Sequence, residues 1–192
     1  MNVKAYLKIK VINEKGKCIY YRRYRSRSFV IGFLNVIFSG LSEQGITNTN
    51  TAGTQYTVSD TDGTIVNASS NNSNYGIVIG QGTSAPTIID YSLSIFIQNG
   101  TGVSQMQYGA VSVTSAVTNT STNTGYITVT RTFTNNSGSS ITVSEVGIIA
   151  WSGSGTLQTN QYYLIVHDLL PSPITVPNGS SLSISYEIQV AT

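Results

Sequence analysis

Short runs of alternating apolar and polar residues constrain the fold of this chain more than any other feature of its sequence. The clearest run has apolar side chains at every second position from 182 to 190, separated by Ser, Glu and Gln. Successive side chains of a β-strand point to opposite faces, so this pattern predicts a strand with one buried face. Further strands are predicted at 3–12, 17–25, 56–58, 64–66, 75–80, 91–98, 104–117, 125–134, 140–151 and 161–168.

Turn residues separate these runs and decide how we expect neighbouring strands to connect. Asn13–Gly16 predicts a turn between the first two strands, and the Asp-Gly pair at 62–63 predicts a hairpin of 56–58 with 64–66. Segments 43–54 and 67–74 are predicted as polar loops. Many short strands with such turns indicate an all-β fold, an antiparallel β-sandwich of jelly-roll or immunoglobulin-like type.

Positive charge is concentrated at the N-terminal end of the chain. Nine of the ten Lys and Arg residues lie within the first 27 positions, where Glu14 is the only acid, so this segment carries 9 − 1 = +8. The rest of the chain carries 1 − 7 = −6. This asymmetry predicts a basic β-hairpin that faces nucleic acid, lipid head groups or an acidic neighbour, with a merely solvated hairpin as the alternative. The candidate contact residues are Lys4, Lys8, Lys10, Arg22, Arg23, Arg25 and Arg27.

The spacing of apolar residues changes after the hairpin. From Phe29 to Leu41 they recur at intervals of one, three and four, which predicts one short helix over 28–42 with Ser28 as its N-cap. We expect its apolar side to pack against a sheet or a neighbouring subunit. The chain is therefore divided into a basic hairpin with an amphipathic helix, 1–42, as an anchor or assembly segment, and a β-sandwich domain, 43–192.

The sequence offers few groups for catalysis or metal binding. One His and one Cys do not suffice for the usual zinc sites or for a disulfide, and no serine lies in a nucleophile-elbow context. We expect no catalytic, metal or cofactor site and no enzymatic activity. His167 is interpreted as a surface or sheet-edge residue. Arg131 and Glu145 are predicted to pair across a hairpin that turns at Asn135–Gly138.

Membrane insertion and secretion signals are not expected. The longest apolar stretch, 29–41, is shorter than the roughly 20 residues of a membrane-spanning helix. Residues 1–24 alternate and lack the apolar core of a signal peptide. We therefore expect a protein made in the cytoplasm. Charged residues make up 9% of the chain, against about 25% in ordinary domains. Because acid unfolding is largely the protonation of carboxylates, a protein with so few of them is expected to keep its assembly at low pH.

Three segments carry a resemblance to a known family. They are 99–111, which contains Gln107–Val111; 129–147, which begins with Val129–Gly138; and Val166–Gly179. Two shorter stretches, Ser28–Val30 and Thr61–Gly63, also fit the resemblance. From about residue 26 onward, the chain resembles uncharacterised structural proteins of archaeal viruses, tailed phages and proviruses. His167 stands where this resemblance leads us to expect an Arg.

The resemblance implies a virion structural protein, made in the host cytoplasm, that assembles with copies of itself and with other virion proteins. It would form part of a capsid, vertex, turret, neck or tail. A cell-surface adhesive or filament subunit, and a carbohydrate- or receptor-binding β-sandwich module, are the alternatives.

Overall fold

The computed structural model describes residues 2–26, 28–42, 45–58, 64–152 and 160–191. Over this part of the chain the strands are β1 (Asn2–Ile12), β2 (Cys18–Ser26), β3 (Ile46–Thr49), β4 (Gln55–Val58), β5 (Thr64–Ile65), β6 (Gly76–Gly80), β7 (Gln107–Tyr108), β8 (Ser112–Val113), β9 (Val117–Asn119), β10 (Thr124–Thr134), β11 (Ile141–Ser152), β12 (Gln161–Val176) and β13 (Ser181–Ala191). The helix is α1 (Ile31–Ser42).

The strands form an antiparallel β-sandwich, as the alternating pattern predicts. Sheet A has the order β2-β1-β13-β10-β7, and β8 and β9 also pair with β10. Sheet B has the order β12-β11-β5, and β6 also pairs with β11. Strands β3 and β4 form a separate two-stranded sheet. The described part of the chain is therefore an all-β fold with a single short helix.

The hydrophobic core lies between the two sheets. Sheet A contributes alternate residues of β1 and β13, such as Ile9 and Ile184, and sheet B contributes Ile77, Val146 and Val166, all at most 1% exposed. Strand β1 lies between β2 and β13, so residues 2–26 share one sheet and one core with the C-terminal strands. The expected division at residue 42 does not coincide with a break in this sheet.

The basic hairpin is confirmed as an element of the fold. Strands β1 and β2 pair along nearly their whole length. The Asn13 side chain accepts hydrogen bonds from the backbone N–H groups of Lys15 and Lys17, and Gly16 has a positive φ of 74°. The left-handed backbone at Gly16 is the conformation that favours glycine, so the turn chemistry and the strand register agree.

The connections between the sheets depend on one buried amide. The side-chain N–H of Asn135 donates to the carbonyls of Ser139 and Val176, each at 2.8 Å. The backbone carbonyl of Asn135 accepts a hydrogen bond from the backbone N–H of Gly179 at 2.7 Å. Asn135 thereby joins the β10–β11 connection to the β12–β13 connection. Residues 135–140 cross from sheet A to sheet B, so the hairpin predicted here is wrong.

Several local predictions also differ from the structure. Strand β4 pairs with β3 and not with β5, so segment 43–54 contains a strand; the Asp-Gly turn at 62–63 lies outside the described residues. Segment 91–98 forms an isolated bridge at Phe96 instead of a strand. Segment 104–117 is divided between β7, β8 and the start of β9. These segments pair according to distant neighbours, which local turn chemistry does not specify.

Candidate functional site

The predicted basic residues separate onto two faces of the hairpin. Because side chains alternate along β1 and β2, residues opposite one another share a face: Tyr6 lies opposite Arg25, Lys8 opposite Arg23, and Lys10 opposite Tyr21. These side chains point away from the core, together with Lys4. Arg22 lies opposite Ile9, whose side chain is buried in the core, and so is on the other face. Arg27 lies outside the described residues.

We call the outward set the basic face; its cations are Lys4, Lys8, Lys10, Arg23 and Arg25. Its one acid is Glu187 of β13, which accepts hydrogen bonds from Lys8 and, at 3.2 Å, from Arg23. Partial burial alone would raise the pKa of Glu187, but these two cations hold it below its ordinary value. The Arg23 guanidinium also stacks 3.6 Å from the centre of the Tyr6 ring.

Hydroxyl groups continue this surface across sheet A. Strand β10 directs alternate threonines outward, and β13 does the same with alternate serines. Cross-strand hydrogen bonds join them: Thr130 donates to Ser185 at 3.0 Å, and the hydroxyls of Thr134 and Ser181 lie 3.3 Å apart. The outer face of sheet A is therefore basic along β1 and β2 and, apart from Glu187, uncharged but polar along β10 and β13.

A cluster of ionisable groups lies against the outer face of sheet B, with His167 and Glu145 buried and Asp90 partly exposed. His167 is 2% exposed, so its interpretation as a surface residue is wrong, although it does lie on β12, an edge strand of sheet B. Its Nε2 lies 2.9 Å from a carboxylate oxygen of Glu145, and its Nδ1 lies 2.7 Å from one of Asp90. Only the imidazolium form can donate through both nitrogens. Burial alone would lower the pKa of His167, but the two carboxylates raise it above its ordinary value.

Glu145 anchors the loop that covers this cluster. Its carboxylate accepts backbone hydrogen bonds from Gly82, Ser94 and Ile95 at 2.9, 3.1 and 2.8 Å. Burial would raise the pKa of Glu145, but His167 and these N–H groups lower it. A Cβ at Gly82 would lie 2.5 Å from the Glu145 carboxylate, so glycine is required there. We call His167, Glu145 and Asp90 the histidine cluster, and its role is to hold segment 81–95 on sheet B.

The predicted Arg131–Glu145 pair is wrong, because the two residues belong to different sheets. Arg131 is 1% exposed and donates to five backbone carbonyls, those of Ser69, Asn72, Tyr75, Ile77 and Gly109. Its guanidinium also lies 4.6 Å from the centre of the Tyr108 ring. Burial lowers the pKa of Arg131 to about 10. Arg131 therefore fixes segment 69–77 against sheet A and is a structural residue.

Helix α1 is confirmed, but its apolar side points away from the sandwich. The helix begins at Ile31, so Ser28 is not its N-cap. The backbone carbonyl of Ser28 instead accepts a hydrogen bond from the backbone N–H of His167. The helix buries Gly32 and Ser39. A Cβ at Gly32 would lie 2.3 Å from the carbonyl oxygen of Leu164 on β12, so the glycine permits close contact between the two backbones. Gly32 and Ser39 are the buried residues of the helix, Phe33 and Val36 are half-buried, and the other large apolar residues are exposed.

The exposed apolar side of α1 continues onto the loop that the histidine cluster holds. The N–H of Ile31 donates to the carbonyl of Ile88 at 2.8 Å. We call this surface the apolar patch; it consists of Ile31, Leu34, Ile37, Phe38 and Leu41 with Ile88 and Ile89, each between 40% and 83% exposed. The sequence pattern located the helix but not its orientation. The sequence signal for the orientation of the helix is the spacing of Gly32 and Ser39, two small residues seven positions apart that therefore lie on the same side of the helix.

Within the described ranges, no group of three or more His, Cys, Asp and Glu side chains is arranged to hold a metal ion. No helix in this part of the chain is long and apolar enough to cross a membrane. His167 and Asp168 are buried on opposite sides of β12: Asp168 accepts hydrogen bonds from Ser26 and Tyr186, at 2.7 and 3.0 Å. The neighbouring pair therefore does not form a catalytic arrangement.

The chain matches no protein-family model, and neither the curated proteins nor the solved structures include a significant match. The basic face, the histidine cluster and the apolar patch are therefore the features from which a function is inferred.

Proposed function

We propose that this chain is a structural protein that assembles with copies of itself, as a component of a virus particle. The observation that carries the assembly proposal is the apolar patch. A helix of a water-soluble domain normally turns its large apolar residues toward the core. In α1 the exposed fractions are 56% for Leu34, 44% for Phe38 and 83% for Leu41. Contiguous exposed apolar surface of this kind marks an interaction site.

A second copy of the chain fits the pattern of α1. Ile31, Leu34, Phe38 and Leu41 follow one another at spacings of three, four and three residues. This is the spacing of the seam through which helices pack on one another in coiled coils. Such a seam can meet an identical seam across a two-fold axis, because the same residues then face each other.

Charge does not oppose this pairing. Helix α1 contains no charged residue. In segment 81–95 the only charged residue is Asp90, and its carboxylate is engaged by His167 and Thr87. Within these two described segments, no like charges would meet when two apolar patches approach, and burial of their apolar side chains would contribute roughly 25 cal/mol for each Å² removed from water.

The assignment to a virus particle rests on the resemblance of the three segments around Gln107–Val111, Val129–Gly138 and Val166–Gly179 to structural proteins of viruses and proviruses. A low content of charged side chains and a rigid antiparallel sandwich suit a subunit that is packed against others. The possible positions in the particle are a capsid, vertex, turret, neck or tail.

The test is light scattering after size-exclusion chromatography, combined with electron microscopy of the same fractions. The test variant is Leu34→Gln with Phe38→Gln, which makes the seam polar while keeping a good helix former. The matched control is Val3→Gln with Val103→Gln, which removes two apolar side chains that are 58% and 85% exposed outside the patch.

We expect dimers, or larger closed oligomers that a second interface builds from them, from the native chain and from the control, and monomers with an unchanged circular dichroism spectrum from the seam variant. A native chain that stays monomeric up to millimolar concentration would contradict self-assembly. Open-ended filaments would favour the filament subunit over a particle component.

A further inference from the structure

We propose that the basic face of sheet A binds the phosphate backbone of nucleic acid. The face is formed by one side of two adjacent strands, β1 and β2, and lies on the side of sheet A that faces away from the core. Its five cations and one acid give 5 − 1 = +4. This partner lies beyond the self-assembly of the apolar patch and uses different residues.

The cations form an array whose spacing follows from the strand register. Residues two apart on a strand lie about 6.6 Å from each other, and adjacent strands lie about 4.8 Å apart. Lys8 and Lys10 occupy such positions on β1, and Arg23 and Arg25 occupy them on β2. Lysine and arginine heads at this density form a continuous positive strip. A nucleic-acid backbone presents phosphates along its length and releases counterions when such a strip neutralises them.

Aromatic side chains lie between the cations. Tyr21 is 46% exposed, with the Lys10 ammonium 5.7 Å from its ring centre, and Tyr6 is covered by the Arg23 guanidinium. Tyrosine rings and arginine planes on an open sheet are surfaces on which unpaired bases stack without regard to sequence. The combination favours nucleic acid over a featureless polyanion.

A second copy does not supply the complementary charge from the described part of the chain. Before residue 28 the one carboxylate is the exposed Glu14, which lies in the β1–β2 turn beside Lys15 and is itself surrounded by basic sequence. Beyond residue 28 the carboxylates placed by the structure are Asp90, Glu145, Asp168 and Glu187, and each of these four accepts hydrogen bonds within its own molecule. Three belong to buried or partly buried clusters, and Glu187 lies within the basic face itself.

A lipid surface fits the basic face less well. Peripheral membrane binding combines cations with large apolar side chains that enter the acyl region. The outward positions from 4 to 10 on β1 are Lys, Tyr, Lys and Lys, and those from 21 to 25 on β2 are Tyr, Arg and Arg. These positions offer positive charge and stacking rings, and the exposed Ile19 near the turn end of β2 adds one aliphatic side chain rather than the apolar side that such insertion uses.

The test measures fluorescence anisotropy of a labelled 30-nucleotide thymidine strand, and of a duplex of the same length, titrated with the full chain at several salt concentrations. The test variant is Lys10→Gln with Arg25→Gln, two exposed cations of the face. The matched control is Lys15→Gln with Lys17→Gln, which removes the same charge from the exposed β1–β2 turn. Anionic phospholipid vesicles serve as the lipid probe.

We expect the face variant to weaken binding to either nucleic acid at least tenfold at low salt, and to make the slope of log affinity against log salt shallower by about 1.4 for the single strand. The turn variant should change affinity less than threefold. Equal losses in the two variants, no binding by the native chain, or binding to vesicles alone would each overturn the proposal. Circular dichroism of both variants checks that they are folded.

Discussion

Among the described residues, Arg131 has the largest side chain that the fold buries completely. Its charge is solvated by backbone carbonyls and an aromatic ring, without a carboxylate in hydrogen-bond contact. Five donors in a planar fork allow one side chain to satisfy acceptors from several turns of a loop. The residue thus substitutes for regular strand pairing in segment 69–77, which forms little secondary structure of its own.

Replacement of Arg131 should therefore be costly. We expect Arg131→Met to lower the free energy of unfolding by about 3 kcal/mol or more, because it leaves buried carbonyls without donors. Arg131→Lys should lose nearly as much, since three donors on a flexible stem cannot reach all these acceptors. Urea denaturation followed by circular dichroism measures the change. The exposed Arg22→Met should cost less than about 0.5 kcal/mol; similar losses at both positions would contradict the structural role of Arg131.

Helix α1 contains two glycines with opposite surroundings, and they provide a paired test of how it docks. A Cβ at Gly32 would meet the Leu164 carbonyl, whereas a Cβ at Gly40 has nothing within 4 Å. We expect Gly40→Ala to stabilise the protein by about 0.5 to 1 kcal/mol through higher helix propensity. Gly32→Ala should destabilise it by about 1 to 3 kcal/mol through overpacking.

Thermal and urea unfolding of these two variants distinguish the docked helix from one that is loosely attached. If Gly32→Ala were as stabilising as Gly40→Ala, the close contact between α1 and β12 would not exist in solution. The pair shares the same chemical change in the same helix, so differences in intrinsic propensity cancel.

Elements with strong internal periodicity could be predicted from the sequence. Strands β1, β2, β10, β11 and β13 agree with their predicted runs to within two residues, because one buried face imposes the alternation. Strand β12 runs to Val176, further than predicted, through Pro171 and Pro173. The register shift between Val143 and Glu145 leaves these prolines unpaired with β11, so their missing N–H groups cost no ladder hydrogen bond.

The contacts of the candidate site could not be predicted in the same way. The prediction that Glu145 pairs with Arg131 assumes that β10 and β11, which are neighbours in sequence, also pair in one sheet. Residues 135–140 instead cross from sheet A to sheet B. His167 and Asp90 are 77 residues apart in sequence, and no local pattern joins them. The positions of the basic residues were predictable from alternation, but their division between two faces required the register of β1 with β2.

The histidine cluster gives the whole molecule a defined response to pH. The pKa of His167 is raised above 6.5 in the fold, so its stabilising effect is complete below pH 6.5 and is lost as pH rises through the raised value. The pKa values of Asp90 and Glu145 are lowered below 3.8 and 4.5. The contribution of Asp90 and Glu145 to stability is fully present above their ordinary pKa values and is lost as pH falls through the lowered pKa values of the folded protein.

We therefore expect maximal stability between about pH 4.5 and 6.5 from this cluster, with a decline on the alkaline side as His167 loses its second proton. Urea unfolding at intervals from pH 4 to 9 measures it. His167→Gln should be less stable at pH 6 but should lack most of the alkaline decline. A native stability that is constant from pH 6 to 9 would show that His167 is not held as an imidazolium. The low total charge thus does not by itself make the fold insensitive to pH.

The pairing of β1 with β13 has a consequence for how the protein is made. Lys8 and Glu187 are separated by 179 residues, so the N-terminal hairpin must wait for the C-terminal strand before its inner face is covered. At ordinary translation rates of about 5 to 20 residues per second, this wait lasts about 10 to 40 s. During it, Leu7, Ile9 and Val11 remain without their neighbours on β13, while the lysines and arginines on the other side keep the nascent hairpin hydrated. Completion of sheet A therefore waits until β13 has been synthesised.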